Sequence, residues 1–452
     1  MKSFELNKPF FKKTVVLMLP IVLQQLITIG INFLDNLMVG GFGETQIAAA
    51  AFGNQFYSLF QFICMGLGSG AIVMSSQFWG RKELEPMRTV AAIALRVSFV
   101  FCAVFTAFSV AFPNLIMRIF TNEAAVVEAG TEYMRIIGLT FVMAGLSSTA
   151  TYLLRSVGNV KVPLLGSAIA FVLNLFFNWV FIFGKLGAPR MEIVGAAVGT
   201  LIARAFEFVF VFGYFIFRDE RFAFRLRNIL LRSNSIRKQY VKYSMPVVIS
   251  DTLLGLSITL SFVVVGHMGE EFSAASSIVN SVVQVSYALN MAMGGASAIA
   301  IGNTIGSGDI QKVKREGNSY MLISILFGLV LIPILLLLEK PYLGLYNVSG
   351  ETLALCHGML MVNCFFMPLQ TNAYVSSKGI LRGGGDTRFI LLADSALVWL
   401  LSLPLGAIGG LVLGWNPIWV YAILRVEFPL KGVVCMIRYF TWKWIKEIRA
   451  EK

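Results

Sequence analysis

Gln24, Thr28, Asn32 and Asp35 are spaced by four, four and three residues inside an otherwise apolar stretch. On a helix that spacing makes one polar stripe ending in an acid. A carboxylate at bilayer depth costs about 2.5–3.5 kcal/mol on insertion scales, so one that persists there serves binding or is paired. No cation lies near Asp35 in sequence, which suits a proton, Na⁺ or a cationic organic compound. Asn174 and Asn178 share a helix face, and with Thr200 they can complete a hydrogen-bonded pocket around Asp35. These four are the candidate ion-coupling residues, with Asp35 also the candidate Na⁺ ligand; Gln24, Thr28 and Asn32 line the candidate substrate path. In the second half, Asp251, Asn280 and Gln284 are the candidate substrate-binding residues, and Asp394 reads as structural. Arg204 and Glu207, three apart, read as an internal ion pair.

The composition fixes the elements that must hold these groups. The 452 residues are 57% hydrophobic and 13% charged, with a mean hydropathy of +0.76. Soluble domains carry about 25% charged residues, so this chain cannot cover a water-facing surface. It reads as an all-α polytopic membrane protein. Apolar stretches of span length lie near 14–39, 46–77, 89–112, 124–154, 162–184, 193–217, 239–265, 272–305, 317–338, 350–377, 389–413 and 416–440. The first follows Lys2, Lys8, Lys12 and Lys13, is too long for a signal-peptide core, and is expected to remain in the mature protein. The five cysteines fall inside apolar stretches with no metal-ligand spacing and read as small apolar residues.

The net charge of +13 would suggest nucleic acid on a soluble protein. Here it is accounted for by sidedness, and no nucleic-acid partner is expected. With twelve spans and a cytoplasmic N-terminus, the external segments hold only Arg118, Lys185, Arg190 and Lys340. Most of the 37 cations fall on the cytoplasmic side, including Arg155, Lys378, Arg382 and the run from Arg218 to Lys242. Both termini are therefore expected in the cytoplasm of a multi-pass inner-membrane protein. Residues 218–238 read as a basic linker between lobes 1–217 and 239–452. Phe222, Phe224, Leu226, Ile229, Leu230 and Leu231 make it either an amphipathic segment on the anionic leaflet or a plain solvated linker.

The halves repeat. At a shift of 226, Pro20 meets Pro246, Gly43-Glu44 meets Gly269-Glu270, Asn54 meets Asn280, Gly68 meets Gly294 and Gly80 meets Gly306. At a shift of 227, Leu154-Arg155 and Gly158-Asn159 meet Leu381-Arg382 and Gly385-Asp386. Six spans per half make parallel repeats, two six-helix bundles with a central cleft, as rocking transport requires. Pro20 and Pro246 each remove a helical hydrogen bond and are the candidate hinges.

No catalytic or cofactor constellation is present: there is no HExxH, GxSxG or Walker A pattern. The chain is not expected to be an enzyme or to need a cofactor, and a monomer is expected. Pro20 through Asp35 to Val39-Gly40, Gly68 through Ser76-Gln77 to Gly80, Tyr133 with Arg135, Leu154-Arg155…Gly158 and Leu381-Arg382-Gly383…Asp386 together resemble the multidrug and toxic compound extrusion (MATE) family. The resemblance implies two six-helix bundles and export of organic, often cationic, compounds against H⁺ or Na⁺. It implies a role for Asp35 as the span-one acid, and for Tyr133, Asn174 and Thr200 as cavity-lining polar residues. Asn178 stands where some members carry a second acid. Leu254 and Thr371 stand where one branch has a glutamate and an aspartate, with Asp251 one turn before Leu254 as a substitute. These departures favour coupling around Asp35. The alternatives are a related lipid-linked oligosaccharide flippase, disfavoured by few expected intramembrane cations, and a membrane scaffold or receptor without turnover.

Overall fold

The computed structural model describes residues 4–344 and 348–449; Lys2 and Lys452 of the expected basic termini lie outside them. The described chain is helical, without strands. Its helices are α1 (Lys8–Val39), α2 (Glu44–Arg81), α3 (Leu84–Ala111), α4 (Pro113–Phe120), α5 (Ala124–Ser156), α6 (Lys161–Phe183) and α7 (Glu192–Phe217). They continue as α8 (Asn234–Gly266), α9 (Glu270–Gly306), α10 (Ile310–Leu343), α11 (Gly350–Leu381) and α12 (Thr387–Val412), then α13 (Pro417–Arg425) and α14 (Glu427–Phe440). Eleven of these are long and apolar enough to cross a bilayer. A 32-residue helix such as α1 reaches about 48 Å at 1.5 Å per residue, beyond the hydrocarbon thickness. Large apolar side chains stand exposed along them, Phe365 at 81% and Leu400 at 78% among them, the inverse of a water-soluble helix.

The expected twelfth span is the exception. It divides at Val426 into α13 and α14. Pro429 is the cause: it lacks the N–H that would bond the Arg425 carbonyl, and its ring crowds that carbonyl. Val426 N–H bonds Ile423 O instead, at 3.2 Å. Widened i→i+5 turns also run through 374–381, 396–402 and 408–412. Such turns in long helices mark functional or strained places.

The chain divides into two compact units. The N-terminal unit comprises Pro20–Ser75 and Glu83–Ser244; the C-terminal unit comprises the chain up to Leu19, Ser76–Lys82 and Met245–Arg449. α1 changes unit at Pro20, and α8 changes between Ser244 and Met245, beside Pro246. The repeat is visible in backbone geometry. Gly43 and Gly269 both take positive φ (103° and 121°), as do Gly158 and Gly385 (76° and 86°), a region L-residues avoid.

The linker is not a plain solvated tether. Phe222 and Phe224 are fully buried and pack on Phe215, with ring centroids 5.3 and 5.2 Å away. Arg88 donates to Phe222 O, and Arg96 to Leu231 O at 2.7 Å. Only Leu226 and Leu230 remain exposed apolar residues of the six named. The segment is folded into the N-terminal unit because its aromatic residues find an apolar seat there. In the C-terminal unit the chain start is anchored to α10. Arg315 Nε donates to Glu5 at 2.7 Å and holds that carboxyl below the usual carboxylate range.

Repeat-equivalent Gly80 and Gly306 lie against each other within the C-terminal unit. A Cβ at Gly80 would fall 2.1 Å from Asn303 O, and one at Gly306 would fall 2.0 Å from Gln77 O. Gly80→Ala is therefore expected to lower stability by about 1–3 kcal/mol. Gly213→Ala, where a Cβ meets nothing within 4 Å, is expected to be neutral or slightly stabilising. Thermal unfolding of the two purified variants in detergent checks both.

Candidate functional site

Asp35 lies four residues before the end of α1 and is half-buried. Its Oδ1 accepts from Asn178 Nδ2 at 2.5 Å. The same amide nitrogen reaches Asn174 Oδ1 at 3.4 Å, and Asn174 Nδ2 donates to Thr200 Oγ1 at 3.2 Å. The structure thus brings Asp35, Asn178, Asn174 and Thr200 into one row across α1, α6 and α7. The row is possible because Gly199 lets α7 approach α6: a Cβ there would sit 2.1 Å from Asn178 Oδ1. That oxygen is buried and accepts no hydrogen bond. Two features result. Asp35 has no ion-pair partner among the described residues; its contact is a neutral donor. Beside it stands an unsatisfied amide oxygen, ready for a proton donor or a hard cation.

Tyr133 is buried and donates to Asn54 Oδ1 at 3.1 Å. Gly53 makes room for its ring. Thr28 donates to Gln24 O within its own helix, and it and Asn32 are exposed. Gln24 is not free for substrate. Arg155 donates to Gln24 Oε1, Gln24 Nε2 donates to Ser167 Oγ at 2.8 Å, and Ser167 donates to Glu207 at 2.7 Å. Arg204 closes this chain on Glu207 at 2.6 Å. It ties α5, α1, α6 and α7 together.

The C-terminal unit has a corresponding cluster, built from charges. Asp251 is fully buried and receives both Arg382 Nη atoms at 2.9 and 3.0 Å as well as Lys378 Nζ. Lys378 also reaches Asp394 Oδ2 at 3.6 Å. Lys431 pairs with Asp394 Oδ1 at 2.8 Å, and Ser250 donates to Asp394 at 2.7 Å. Asp251 is thus a member of an ion network joining α8, α11, α12 and α14. Leu254 is buried; Thr371 Oγ1 is buried without a hydrogen bond. Asn280 accepts from Arg425 Nη2 at 2.6 Å, while Gln284, one turn on, is exposed.

Two expectations change here. Lys378 and Arg382 belong to a helix end buried in the unit, at 4% exposure each, not to a cytoplasmic loop. Helix α11 continues past the apolar stretch because Asp251 and Asp394 neutralise its charges. The interior is accordingly rich in cations on the C-terminal side. Sequence reasoning did not single out Lys431, Arg425 or Glu427. The repeat register held the signal: at a shift of 227, Ser167 meets Asp394, Arg204 meets Lys431 and Thr200 meets Glu427. A separate cavity of about 430 Å³ between α4 and α5 is lined by Arg118, Glu128, Glu132 and Arg135 and holds no expected site residue.

The profile of the MatE family matches residues 20–180 and 246–408. The probable multidrug resistance protein YoeA of Bacillus subtilis is 24% identical over 363 residues, 80% of this chain and 78% of that protein. The probable multidrug resistance protein NorM of Neisseria meningitidis serogroup B is 23% identical over 398 residues, 86% of each. Among solved structures, MATE in the straight conformation superposes with a TM-score of 0.86 at 18% identity, covering 97% of both chains. An outward-facing multidrug resistance MATE transporter of the MOP superfamily gives 0.84 at 18% identity, covering 96% of this chain and 95% of that one.

The two acids are expected to respond differently to neutralisation. Asp251→Ala leaves Lys378 and Arg382 buried without their shared partner and is expected to cost about 3–5 kcal/mol. Asp35→Asn removes no ion pair and is expected to leave the melting temperature within a few degrees of wild type. Parallel thermal melts in one detergent compare them.

Proposed function

This chain belongs to the MatE family, and on that premise we propose that it is a secondary active multidrug antiporter, exporting organic and often cationic compounds in exchange for H⁺ or Na⁺ by alternating access. It is a multi-pass membrane transporter and no enzyme. The reading further places it in the inner membrane, as a monomer with both termini cytoplasmic.

One observation carries the coupling: Asp35 is a half-buried carboxylate held by a neutral amide, with no cation paired to it among the described residues. Such a group exchanges its partner without breaking an ion pair. A proton on Asp35 can be donated to the unsatisfied Asn178 Oδ1, and Na⁺ can take the carboxylate with the same oxygen. In either case the ion arrives from outside and competes with a cationic substrate for one negative charge. Competition of two ligands for one site gives exchange without a relay between distant sites. Loading Asp35 reorganises the Asn178–Asn174–Thr200 row and bears on α1, whose hydrogen-bond ladder is interrupted at Pro20. Asp251, neutralised by two cations, has no part in this reading.

The test is uptake of a cationic dye into proteoliposomes, with Na⁺ and pH gradients imposed separately. Wild-type protein is expected to move dye under at least one gradient. Asp35→Asn is expected to lower that rate at least about tenfold, the loss of about 1.4 kcal/mol or more of coupling, while the protein stays folded. Gly199→Ala, which displaces Asn178, is expected to lower it in the same direction. Wild-type rates in Asp35→Asn would remove Asp35 from the mechanism. No gradient-driven movement by wild type would favour a scaffold.

A further inference from the structure

Unassigned charge lies at the break in span twelve. Arg425 ends α13 and Glu427 opens α14. Glu427 is 6% exposed, and among the described residues it makes no hydrogen bond or ion pair. Arg425 is half-buried and has no carboxylate within ion-pair distance among those residues. Its guanidinium is supported by neutral groups, Asn280 Oδ1 at 2.6 Å and the Tyr421 ring at 5.3 Å. A guanidinium carries five donors in a fixed fork, so most remain open. The charged or titratable groups in electrostatic range of Glu427 are Lys431 and Arg425 of span twelve and Asp394 of α12. Tyr374 of α11 also faces it. Tyr287 of α9 meets Tyr374 edge-on at 5.4 Å. Lys431 is already paired with Asp394.

We propose that Arg425, positioned by Asn280, is a binding site in the C-terminal unit for an oxyanion, the carboxylate of an organic compound or the phosphate of a lipid headgroup, and that Glu427 sets its occupancy. As a carboxylate, Glu427 offsets the positive charge of Arg425 and repels an arriving anion. Once protonated, it leaves the guanidinium uncompensated, and the planar fork matches either oxyanion in bidentate geometry. The proton and the anion are therefore taken up together, the opposite linkage to competition at Asp35. The repeat sharpens the contrast. The N-terminal counterparts of Arg425 and Glu427 are Val198 and Thr200, and the counterpart of Asp35 is Ser261. One unit offers a negative charge, the other a positive one. This goes beyond the export reading and does not rest on it.

The experiment is equilibrium binding to the purified full-length protein in phosphatidylcholine nanodiscs. It uses dansylglycine, a carboxylate, and dansylcadaverine, its ammonium analogue, at about pH 6 and about pH 8. Wild type is expected to bind dansylglycine more tightly at the lower pH. Arg425→Gln is expected to weaken dansylglycine about tenfold while leaving dansylcadaverine and the melting temperature unchanged. Glu427→Gln is expected to bind dansylglycine at the higher pH as tightly as wild type does at the lower. If Arg425→Gln does not fold, Arg425→Lys, which keeps the charge and loses the fork, carries the same comparison. Discs containing phosphatidylglycerol separate the sources: loss of dansylglycine binding there assigns a lipid headgroup, and unchanged binding assigns a soluble carboxylate. The proposal is overturned by a wild type that binds no dansylglycine in phosphatidylcholine discs, by equal affinities in wild type and the Arg425 variant, or by pH dependence that survives Glu427→Gln.

Discussion

A charge moved from water into a helix bundle must be met by an opposite charge or by enough hydrogen-bond donors, and everything specific about this protein follows from how each unit meets that demand. Asp251 is met by Lys378 and Arg382, and Asp394 by Lys431. These are tight arrangements that hold four helices in register. Removing one member strands the others, so the network is fixed rather than exchangeable. Asp35 is met by one amide. That single neutral contact meets the carboxylate at half-burial. The same physical penalty is therefore answered by ion pairs in one unit and by a neutral donor in the other.

The repeat shows how this division arises without a change of fold. Equivalent positions carry equivalent geometry: Gln24 bonds Ser167 where Ser250 bonds Asp394, and Arg155 and Arg382 each reach back to the opening span of their own half. Charge has been redistributed over this common frame. Arg204 is satisfied along its own helix by Glu207, whereas Lys431 is satisfied across helices by Asp394. The backbone also differs at the close of each half. α7 runs unbroken through Ile202, while its counterpart Pro429 divides span twelve. The break lies between Arg425 and Glu427, two charged groups outside the ion network.

What could be read in the sequence were features with a period or a register. The helical spans, the repeat and the Asp35 stripe each rest on many residues in a fixed spacing. Asn174, Asn178 and Thr200 were within reach because i,i+4 spacing places side chains on one face. What could not be read were features set by partners distant in sequence. Lys378 and Arg382 look like the end of a span, since charge ordinarily stops one; only Asp251, more than a hundred residues earlier, explains why the helix continues buried. Phe222 and Phe224 look amphipathic beside so many arginines until Phe215 supplies their seat. Gln24 looks like a substrate ligand until Arg155 and Ser167 are seen to occupy both ends of its amide.

The prolines connect these local arrangements to motion. α1 and α8 each change unit beside a proline that removes one backbone bond from the ladder. Asp35 lies fifteen residues beyond Pro20 on the same helix, about 22 Å at 1.5 Å per residue. Between them, Gln24 is clamped by Arg155 and Ser167, so the segment from Pro20 to Gln24 is held to its unit whatever ion Asp35 carries. A change at Asp35 is therefore taken up first in the stretch beyond Gln24, where Thr28 bonds only its own helix and Asn32 stands exposed. In the antiport proposed above, transmission to Pro20 requires that this part of α1 bend or rotate as a rod against the Gln24 clamp. On that proposal the clamp is as much a part of the coupling as the acid, because it would set the pivot about which loading at one end of α1 becomes displacement at the other.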